Sequence, residues 1–322
     1  MKIMNKEKIN IGIVLRMATS LIPLFLGMPT IATILCAYNI AMTFVVNGPV
    51  SSIFSGLGAV IISAIFGGFL MQGGELYGLV IGIEAVLCAS AVIYAVVKNI
   101  GFFRGVWLAS AGHLIPSFIY TYALANKNGE SVVDYMISEP IKMLVEGVKP
   151  ALEETGVAVF DEIIDIVQKV TSMIVPSVFI ISSVFVGYII MWAFNAALRR
   201  APIGYDHSFA TLKMPKTAVI VMVIAFIANL FVNTNLEYVF VNVLVVLGGL
   251  CFFSGLSFVE YLLRKKFKNG FGRIIIHFVI YAIVSSLIPF IPYILLGVID
   301  AFADFRKLGK KQKVGEAYEN EE

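Results

Sequence analysis

The sequence predicts an all-α fold, a polytopic bundle of membrane-spanning helices. Hydrophobic residues make up 59% of the 322 residues and charged residues only 14%, and the mean hydropathy is +0.90. Soluble domains carry charge at about a quarter of their positions. The apolar residues also lie in long uninterrupted blocks, and about twenty such residues suffice for a helix to cross a bilayer. These observations exclude a soluble globular protein.

Eight apolar blocks precede the C-terminal region, and each predicts one transmembrane helix. Turn-forming residues separate them, as at Gly27-Met28-Pro29 and Asn47-Gly48-Pro49. No small-residue cleavage site follows the first block, so we expect it to be an uncleaved span rather than a signal peptide. The predicted spans are residues 11–27, 29–46, 51–70, 76–97, 106–124, 172–198, 217–232 and 236–263.

Residues 274–313 contain the last hydrophobic block and the basic tail after it. The block is too long for one straight helix and carries Pro289 and Pro292 near its middle. Lys and Arg accumulate on the cytoplasmic side of membrane proteins. With a cytoplasmic N-terminus, two spans in this block, turning near residues 285–292, place the basic tail inside as well. The sequence therefore predicts about ten spans with both ends cytoplasmic. Nine spans with an external tail is the alternative.

One long polar region, residues 125–170, interrupts the predicted bundle. It holds four lysines and nine carboxylates, a net charge of −5. Val157, Phe160, Ile164 and Val167 recur at helical spacing, which predicts an amphipathic helix on the outer surface, either a solvated connector or a lid. The predicted organisation is an N-terminal membrane bundle of about five spans (1–125), an acidic extracytoplasmic amphipathic segment (126–170), a C-terminal membrane bundle of about five spans (171–305) and a charged cytoplasmic tail (306–322).

Ionisable residues within the predicted spans are the candidates for function, because they are costly at membrane depth. Glu84 lies in mid-span, opposite a stripe of glycines spaced by four, and shares its face with Tyr77. It either lines a polar cavity or makes a structural hydrogen bond to a neighbouring helix. His113 is a further candidate, with packing as the alternative. We therefore name Glu84, Tyr77 and His113 as candidate ligand-binding residues.

Small residues account for other features of the spans. Glycine and alanine at every fourth position predict close helix packing. Such stripes are formed by Gly74, Gly78 and Gly82 and by Gly101, Gly105 and Ala109. Cys36, Cys88 and Cys251 each fall inside a hydrophobic block, away from any CxxC motif or histidine cluster. We expect them to be buried apolar side chains rather than a disulfide or a metal site.

The sequence carries no HExxH motif, no GxSxG nucleophile elbow and no phosphate-binding P-loop. We therefore expect no enzyme and no ATPase, with no catalytic residues, no cofactor and no metal. The expected partners are the lipid bilayer, other membrane or cytoplasmic protein subunits and a small-molecule ligand. Nucleic acid is not among them.

The second half of the sequence resembles the YybS-like family of bacterial membrane proteins. Residues 251–266 read CFFSGLSFVEYLLRKK, and the terminal block ends in LLGVIDAFADFRKL. The family shows a GLSF-type span with a basic end, then a proline-broken block that closes on a G-x-x-D…D-x-R pattern. The matching residues are Gly255, Leu256, Ser257, Phe258, Gly297, Asp300, Asp304 and Arg306, with Asn195, Arg199 and Arg200 at the exit from the sixth predicted span.

The resemblance implies a multi-pass protein of the bacterial cytoplasmic membrane. The N-terminal part of the family is similar to the substrate-binding membrane components of energy-coupling-factor transporters, which capture vitamins or metal ions. Those components dock to a transporter subunit through small residues spaced by four on the first span. Residues 11–27 contain no such row.

Asp300, Asp304 and Lys307 stand at i, i+4 and i+7, which places them on one stripe if the last helix continues through residue 307. Because Asp300 follows the apolar residues 295–299, we expect it to be desolvated and to need a cationic partner. Arg199, Arg200 and the basic loop 264–273 are the candidates. The alternative is an exposed helix end whose acids balance the basic tail.

Two functions are compatible with these patterns. The first is a membrane component that binds a small solute, with a cavity among the first six spans and no ATPase of its own. The alternative is a non-transporting scaffold or regulator that acts through its basic cytoplasmic face. Polar residues converging at one depth would favour the first.

Overall fold

A computed structural model of the chain describes residues 16–138 and 160–306, apart from residues 18, 27, 71–74, 101, 199–208, 233–235, 268–269 and 288–289. The regular secondary structure in these ranges is helical. The helices are α1 (Ile22–Phe25), α2 (Pro29–Asn47), α3 (Pro49–Leu70), α4 (Glu75–Val97), α5 (Phe102–Asn128), α6 (Phe160–Leu198), α7 (Lys216–Asn229), α8 (Leu236–Lys266), α9 (Gly270–Leu287) and α10 (Ile291–Ala303). A 3-10 turn at Phe209–Thr211 precedes α7, and residues 132–138 are also helical. The chain forms two compact units, Met1–Ile203 and Gly204–Glu322.

Several helices are long and apolar enough to cross a membrane. Within the described ranges these segments are Pro29–Asn47, Pro49–Phe69, Leu76–Val97, Ile166–Asn195 and Leu236–Lys266. The apolar helices α7 and α10 are shorter, with 14 and 13 residues. The prediction of an all-α membrane protein is confirmed at this level. The number of ten spans and the cytoplasmic N-terminus stay predictions.

Helix ends fall where the sequence places turn-forming residues. Gly48 has a φ of 90°, a conformation that glycine adopts without steric cost, and Pro49 begins α3. The terminal block forms two helices, α9 and α10. Phe290 lies between them with a φ of 63°, and Pro292 is in the first turn of α10. This break lies within the predicted turn at residues 285–292.

The helix α6 begins before the sixth predicted span, residues 172–198. It runs without interruption for 39 residues, about 58 Å at 1.5 Å per residue, so its first polar turns and the predicted span form a single helix. No glycine or proline separates Phe160 from the span, and Pro176 is accommodated inside it. Phe160, Ile164 and Val167 of the predicted amphipathic pattern therefore lie in the first turns of α6. Val157 lies outside the described residues, and the position of this segment on the outer surface stays a prediction. The four domain boundaries stay predictions.

In the N-terminal unit, α4 packs against α2, α3 and α5, and α6 packs against α5 and α2. Small residues make the close approach possible. A Cβ atom added to Gly78 or Gly82 would collide with the backbone of α3 at Ser63 or Val60, as the packing stripe predicts. The outward faces of these helices are lined with exposed aliphatic and aromatic side chains, as expected where lipid is the solvent.

In the C-terminal unit, α8 is the central helix and packs against α10, α7 and the 3-10 turn. Two glycines allow the backbones of α8 and α10 to touch. Gly255 of α8 faces the backbone of Tyr293, and Gly297 of α10 faces the backbone of Cys251. Cys251, Cys36 and Cys88 are all buried free thiols, which confirms the expectation for the cysteines.

Candidate functional site

Glu84 lies near the middle of α4, and only 5% of its surface is exposed. Its two carboxylate oxygens accept hydrogen bonds from two neighbouring helices. The Thr33 hydroxyl of α2 donates to Oε2 at 3.2 Å, and the Ser117 hydroxyl of α5 donates to Oε1. Gly82, two residues earlier, faces α3. Glu84 therefore joins α2, α4 and α5 at one polar point, on a different face from the glycine packing.

Glu84 also lines a cavity of about 330 Å³ inside the N-terminal unit, with walls from α2, α4, α5 and α6. Tyr77 and His113 line the same cavity, so the fold brings the three sequence candidates together. Glu84 both lines a cavity and makes interhelical hydrogen bonds, the two roles that the sequence left open. The other lining residues are Pro29, Thr30, Thr33, Val80, Ile81, Ser117, Tyr120, Thr121, Phe179, Ser182, Phe185 and Val186.

His113 has an unsatisfied imidazole. The residue is 7% exposed, and neither Nδ1 nor Nε2 has a hydrogen-bond partner in the part of the chain that the structure describes. A buried polar group without a partner costs about 1–3 kcal/mol, so native proteins rarely leave one unpaired. His113 also lines the cavity, so its imidazole is a candidate for hydrogen bonding to a bound molecule.

Two tyrosines and two phenylalanines contribute to the walls of the cavity. Among the described residues that line it, the ionisable ones are Glu84, His113 and the two tyrosines. The rings of Tyr77 and Tyr120 lie 5.4 Å apart between centroids, and Phe179 and Phe185 contribute from α6. No Lys or Arg of the described ranges lines the cavity. The ion pairs found among the described residues involve Asp304, Glu260 and Asp300 instead of Glu84.

A larger groove, of about 580 Å³, lies between α2, α3 and α4. Its wall consists mainly of aliphatic and aromatic side chains, and the described residues that line it include no Asp, Glu, Lys, Arg or His. It offers no charged group that could orient a polar ligand. Among the described residues, no group of three His, Cys, Asp or Glu side chains is placed to hold a metal ion. The Glu84 cavity is therefore the better candidate for recognition chemistry.

Sequence reasoning did not identify the hydrogen-bond partners of Glu84. For Ser117 a signal was present, because it stands four residues after His113 and the two share one face of α5. Thr33 carried no such signal. It is 51 residues from Glu84 in the sequence, and only the packing of α2 against α4 brings them into contact.

In the C-terminal unit, the motif residues of the second half meet at a buried ion pair. Asp300 is 0% exposed and Arg306 is 4% exposed. Arg306 Nε and Nη2 both donate to Asp300 Oδ2, at 3.0 and 2.5 Å. Its Nη1 donates to the carbonyl of Ala210 at 2.8 Å and to Ser257 Oγ at 2.7 Å, and this hydroxyl donates to the carbonyl of Phe209. Arg306 thus connects the end of α10 to α8 and the 3-10 turn.

Asp300 is desolvated and paired, but its partner differs from the candidates named from the sequence. The partner is Arg306 rather than the loop 264–273 or the two arginines after α6, which lie outside the described residues. The expectation of a single helical stripe through residue 307 is wrong, because α10 ends at Ala303. Asp304 adopts a left-handed conformation with a φ of 49°, and its N–H donates to the carbonyl of Asp300 at 3.0 Å. This turn directs Arg306 back toward Asp300.

The remaining motif residues have separate positions. Asp304 forms an ion pair with Lys213, a partly exposed pair. Gly255 and Gly297 lie at the contact of α8 with α10. Asn195 is half-buried near the end of α6, so it belongs to the N-terminal unit. The motif therefore describes mainly the packing of the C-terminal unit.

The comparisons with known proteins give a family and no closer relative. A family model described as "Predicted membrane protein (DUF2232)" matches residues 10–301, a range that includes Glu84 and Asp300. No curated protein and no solved structure matches the chain. The match covers most of the sequence, and the exposed apolar helices place the protein in contact with a lipid bilayer. The chain belongs to the family of predicted membrane proteins DUF2232.

Proposed function

We propose that this protein binds a small solute as a transporter component of the bacterial cytoplasmic membrane, with multiple spans, no ATPase of its own and no enzymatic chemistry. The observation that carries the proposal is the cavity around Glu84. It combines a buried carboxylate, an imidazole without a hydrogen-bond partner among the described residues, and aromatic walls. Ligand sites are typically concave and mostly apolar, with a few convergent polar groups.

The free-energy cost of placing these polar groups at membrane depth supports a role beyond helix packing. Ionisable side chains at membrane depth are expensive and usually mark a pathway or a binding site. A carboxyl that served only to join helices would need its two hydroxyl partners, but it would not need a cavity beside it. Glu84 has both. The volume of about 330 Å³ is within the range of small-molecule sites, which begins at about 300 Å³.

The predicted topology adds a direction to the proposal. Pro29 at the start of α2, Tyr77 near the start of α4 and Thr121 in the second half of α5 line the cavity. With a cytoplasmic N-terminus and the predicted order of spans, these positions lie toward the outer surface. A cavity there suits the capture of a solute from outside. The similarity of the YybS-like family to the solute-capturing components of energy-coupling-factor transporters supports the same function.

A thermal-shift screen of the purified protein with vitamins, metal ions and nucleotides tests the proposal. We expect at least one compound to raise the unfolding temperature of the wild type. Glu84→Gln keeps the size of the side chain and removes its charge, so it should weaken this stabilisation while leaving the unliganded protein about as stable. Glu260→Gln is the control, because Glu260 is buried in the other unit and does not line the cavity.

The outcomes separate the two functions proposed from the sequence. A ligand shift that is lost in Glu84→Gln and kept in Glu260→Gln supports the cavity. No shift with any compound, or an equal shift in Glu84→Gln, would contradict it and favour the scaffold or regulator. The scaffold or regulator has less support, because several basic residues of the C-terminal unit already have a partner. Ion pairs with carboxylates of the same unit are formed by Lys213, Arg264 and Arg306.

A further inference from the structure

The carboxylate of Glu84 has no described counter-charge. Its partners are two neutral hydroxyl groups, and no Lys or Arg is found among the described residues of the cavity wall. Elsewhere in the described part of the chain, the buried acids Asp300 and Glu260 each lie against an arginine. A buried charge that lacks a partner is strongly disfavoured, whereas a charge of opposite sign beside it restores the balance. The cavity is therefore electrostatically suited to a cation and unsuited to an anion.

The walls are suited to the same kind of ligand. Tyr77, Tyr120, Phe179 and Phe185 all line the cavity, and the tyrosine rings are 5.4 Å apart. The face of an aromatic ring carries negative partial charge and attracts ammonium groups, most strongly where water is excluded. A metal ion would need several oxygen, nitrogen or sulfur ligands, and no group of three His, Cys, Asp or Glu side chains occurs among the described residues. An organic cation needs only one carboxylate and the rings.

His113 adds a second point of contact. A neutral imidazole offers one donor and one acceptor, and both nitrogens are unpaired within the described structure. A ligand with a hydroxyl or amine group apart from its charged centre could satisfy them. We infer that the cavity binds a small organic cation, an amine or alkylammonium compound with a second polar group. This inference rests on the proposed function and names its ligand class.

Choline and its uncharged carbon isostere test the inference, since the two differ only in the atom at the centre of the trimethyl group. We expect choline to bind the purified protein with a dissociation constant at least about tenfold lower than that of the isostere. Glycerophosphocholine distinguishes a lipid headgroup from a free solute. Because the described part of the wall has no Lys or Arg to bind a phosphate, we expect glycerophosphocholine to bind more weakly than choline.

Two variants connect the preference to the cavity. Glu84→Gln should abolish the preference for choline over its isostere. Phe179→Leu keeps an apolar side chain and removes one ring, so it should weaken binding of choline more than binding of the isostere. If Glu84→Gln does not fold, Phe179→Leu still tests the preference for choline. Glu260→Gln, in the other unit, should retain the preference.

Equal binding of choline and the isostere would overturn the inference while leaving a solute-binding cavity in place. The same holds if choline does not bind and the compounds found in the thermal-shift screen are neutral or anionic. Stronger binding of glycerophosphocholine than of choline would identify the cation as part of a lipid headgroup. The absence of any ligand would contradict the proposed function itself, so the two failures are distinguishable.

Discussion

Asp300 and Arg306 form the most completely buried ion pair in the described part of the chain, with 0% exposure of both side chains. All three guanidinium nitrogens of Arg306 donate hydrogen bonds, to Asp300, Ser257 and the carbonyl of Ala210. Asp300 is less well satisfied, because its Oδ1 has no described hydrogen-bond partner. Such a pair adds little net stability compared with apolar residues, but removing one partner leaves a buried charge uncompensated.

We predict that Asp300→Asn lowers the free energy of unfolding by about 3–5 kcal/mol, since it strands the buried guanidinium of Arg306. The matched control is Asp304→Asn, which removes the charge from a partly exposed pair with Lys213 and should cost less than about 1 kcal/mol. Folded yield in membranes and the unfolding temperature of the purified variants are the measurements. Similar effects of the two substitutions would show that the pair does not anchor the unit.

At the scale of single residues, the sequence identified Glu84 and Asp300 but not the residues that bind to them. The cost of an ionisable group in an apolar span is a local property, so Glu84 and Asp300 could be named from their neighbours alone. Thr33 and Arg306 could not be named, because their contacts depend on which helix faces meet and on where α10 ends. His113 was named without a prediction of its unpaired nitrogens, which only the packing of the surrounding helices determines.

At the scale of helices, the contact of α8 with α10 is reciprocal. Each helix contributes one glycine, Gly255 or Gly297, that faces the backbone of the other helix. Close backbone approach through small residues is the usual means of packing in lipid, where no hydrophobic effect drives helices together. Tyr293, fully buried beside this contact, and Cys251 provide the opposing surfaces.

We predict that Gly297→Ala destabilises the protein by about 1–3 kcal/mol, because the added methyl group overlaps the carbonyl of Cys251 and forces the helices apart. Gly248→Ala, on the same helix pair, is the control. Its Cβ would meet only Ile294 Cδ1, at 4.0 Å, so the higher helix propensity of alanine should leave stability unchanged or raised. Thermal unfolding in detergent measures both. A Gly297→Ala protein as stable as the wild type would argue against a tight crossing.

The helices themselves were largely predictable, because hydropathy and turn residues act locally. The bounds of α2, α3 and α4 lie within a few residues of the predicted spans, and the terminal block is divided where expected. The beginning of α6 was not predicted. Its first turns are polar and lie outside the predicted span, but no residue before Pro176 breaks the helix, so the backbone continues.

At the scale of the whole molecule, the orientation rests on the distribution of Lys and Arg. We predict that a reporter fused after residue 313 is cytoplasmic and that one inserted near Glu153 is external. Fusions to alkaline phosphatase and to green fluorescent protein give opposite signals on the two sides of the membrane. Each reporter is therefore a control for the other at the same position. An external reporter after residue 313 would contradict the ten-span topology and support nine spans.

The short helices α7 and α10 have a consequence for the surrounding lipid. At 1.5 Å per residue they are about 21 and 20 Å long, whereas the hydrocarbon core of a bilayer is about 30 Å thick. Ile220, Ile224 and Ile227 of α7 are exposed, so that face would lie against acyl chains in a ten-span topology. If both helices cross, as ten spans require, the adjacent bilayer thins, at a cost of fractions of a kcal/mol per Å of mismatch. Because of this cost, we expect the protein to be more stable in thin regions of the membrane. The same cost favours its association with other proteins whose spans are short.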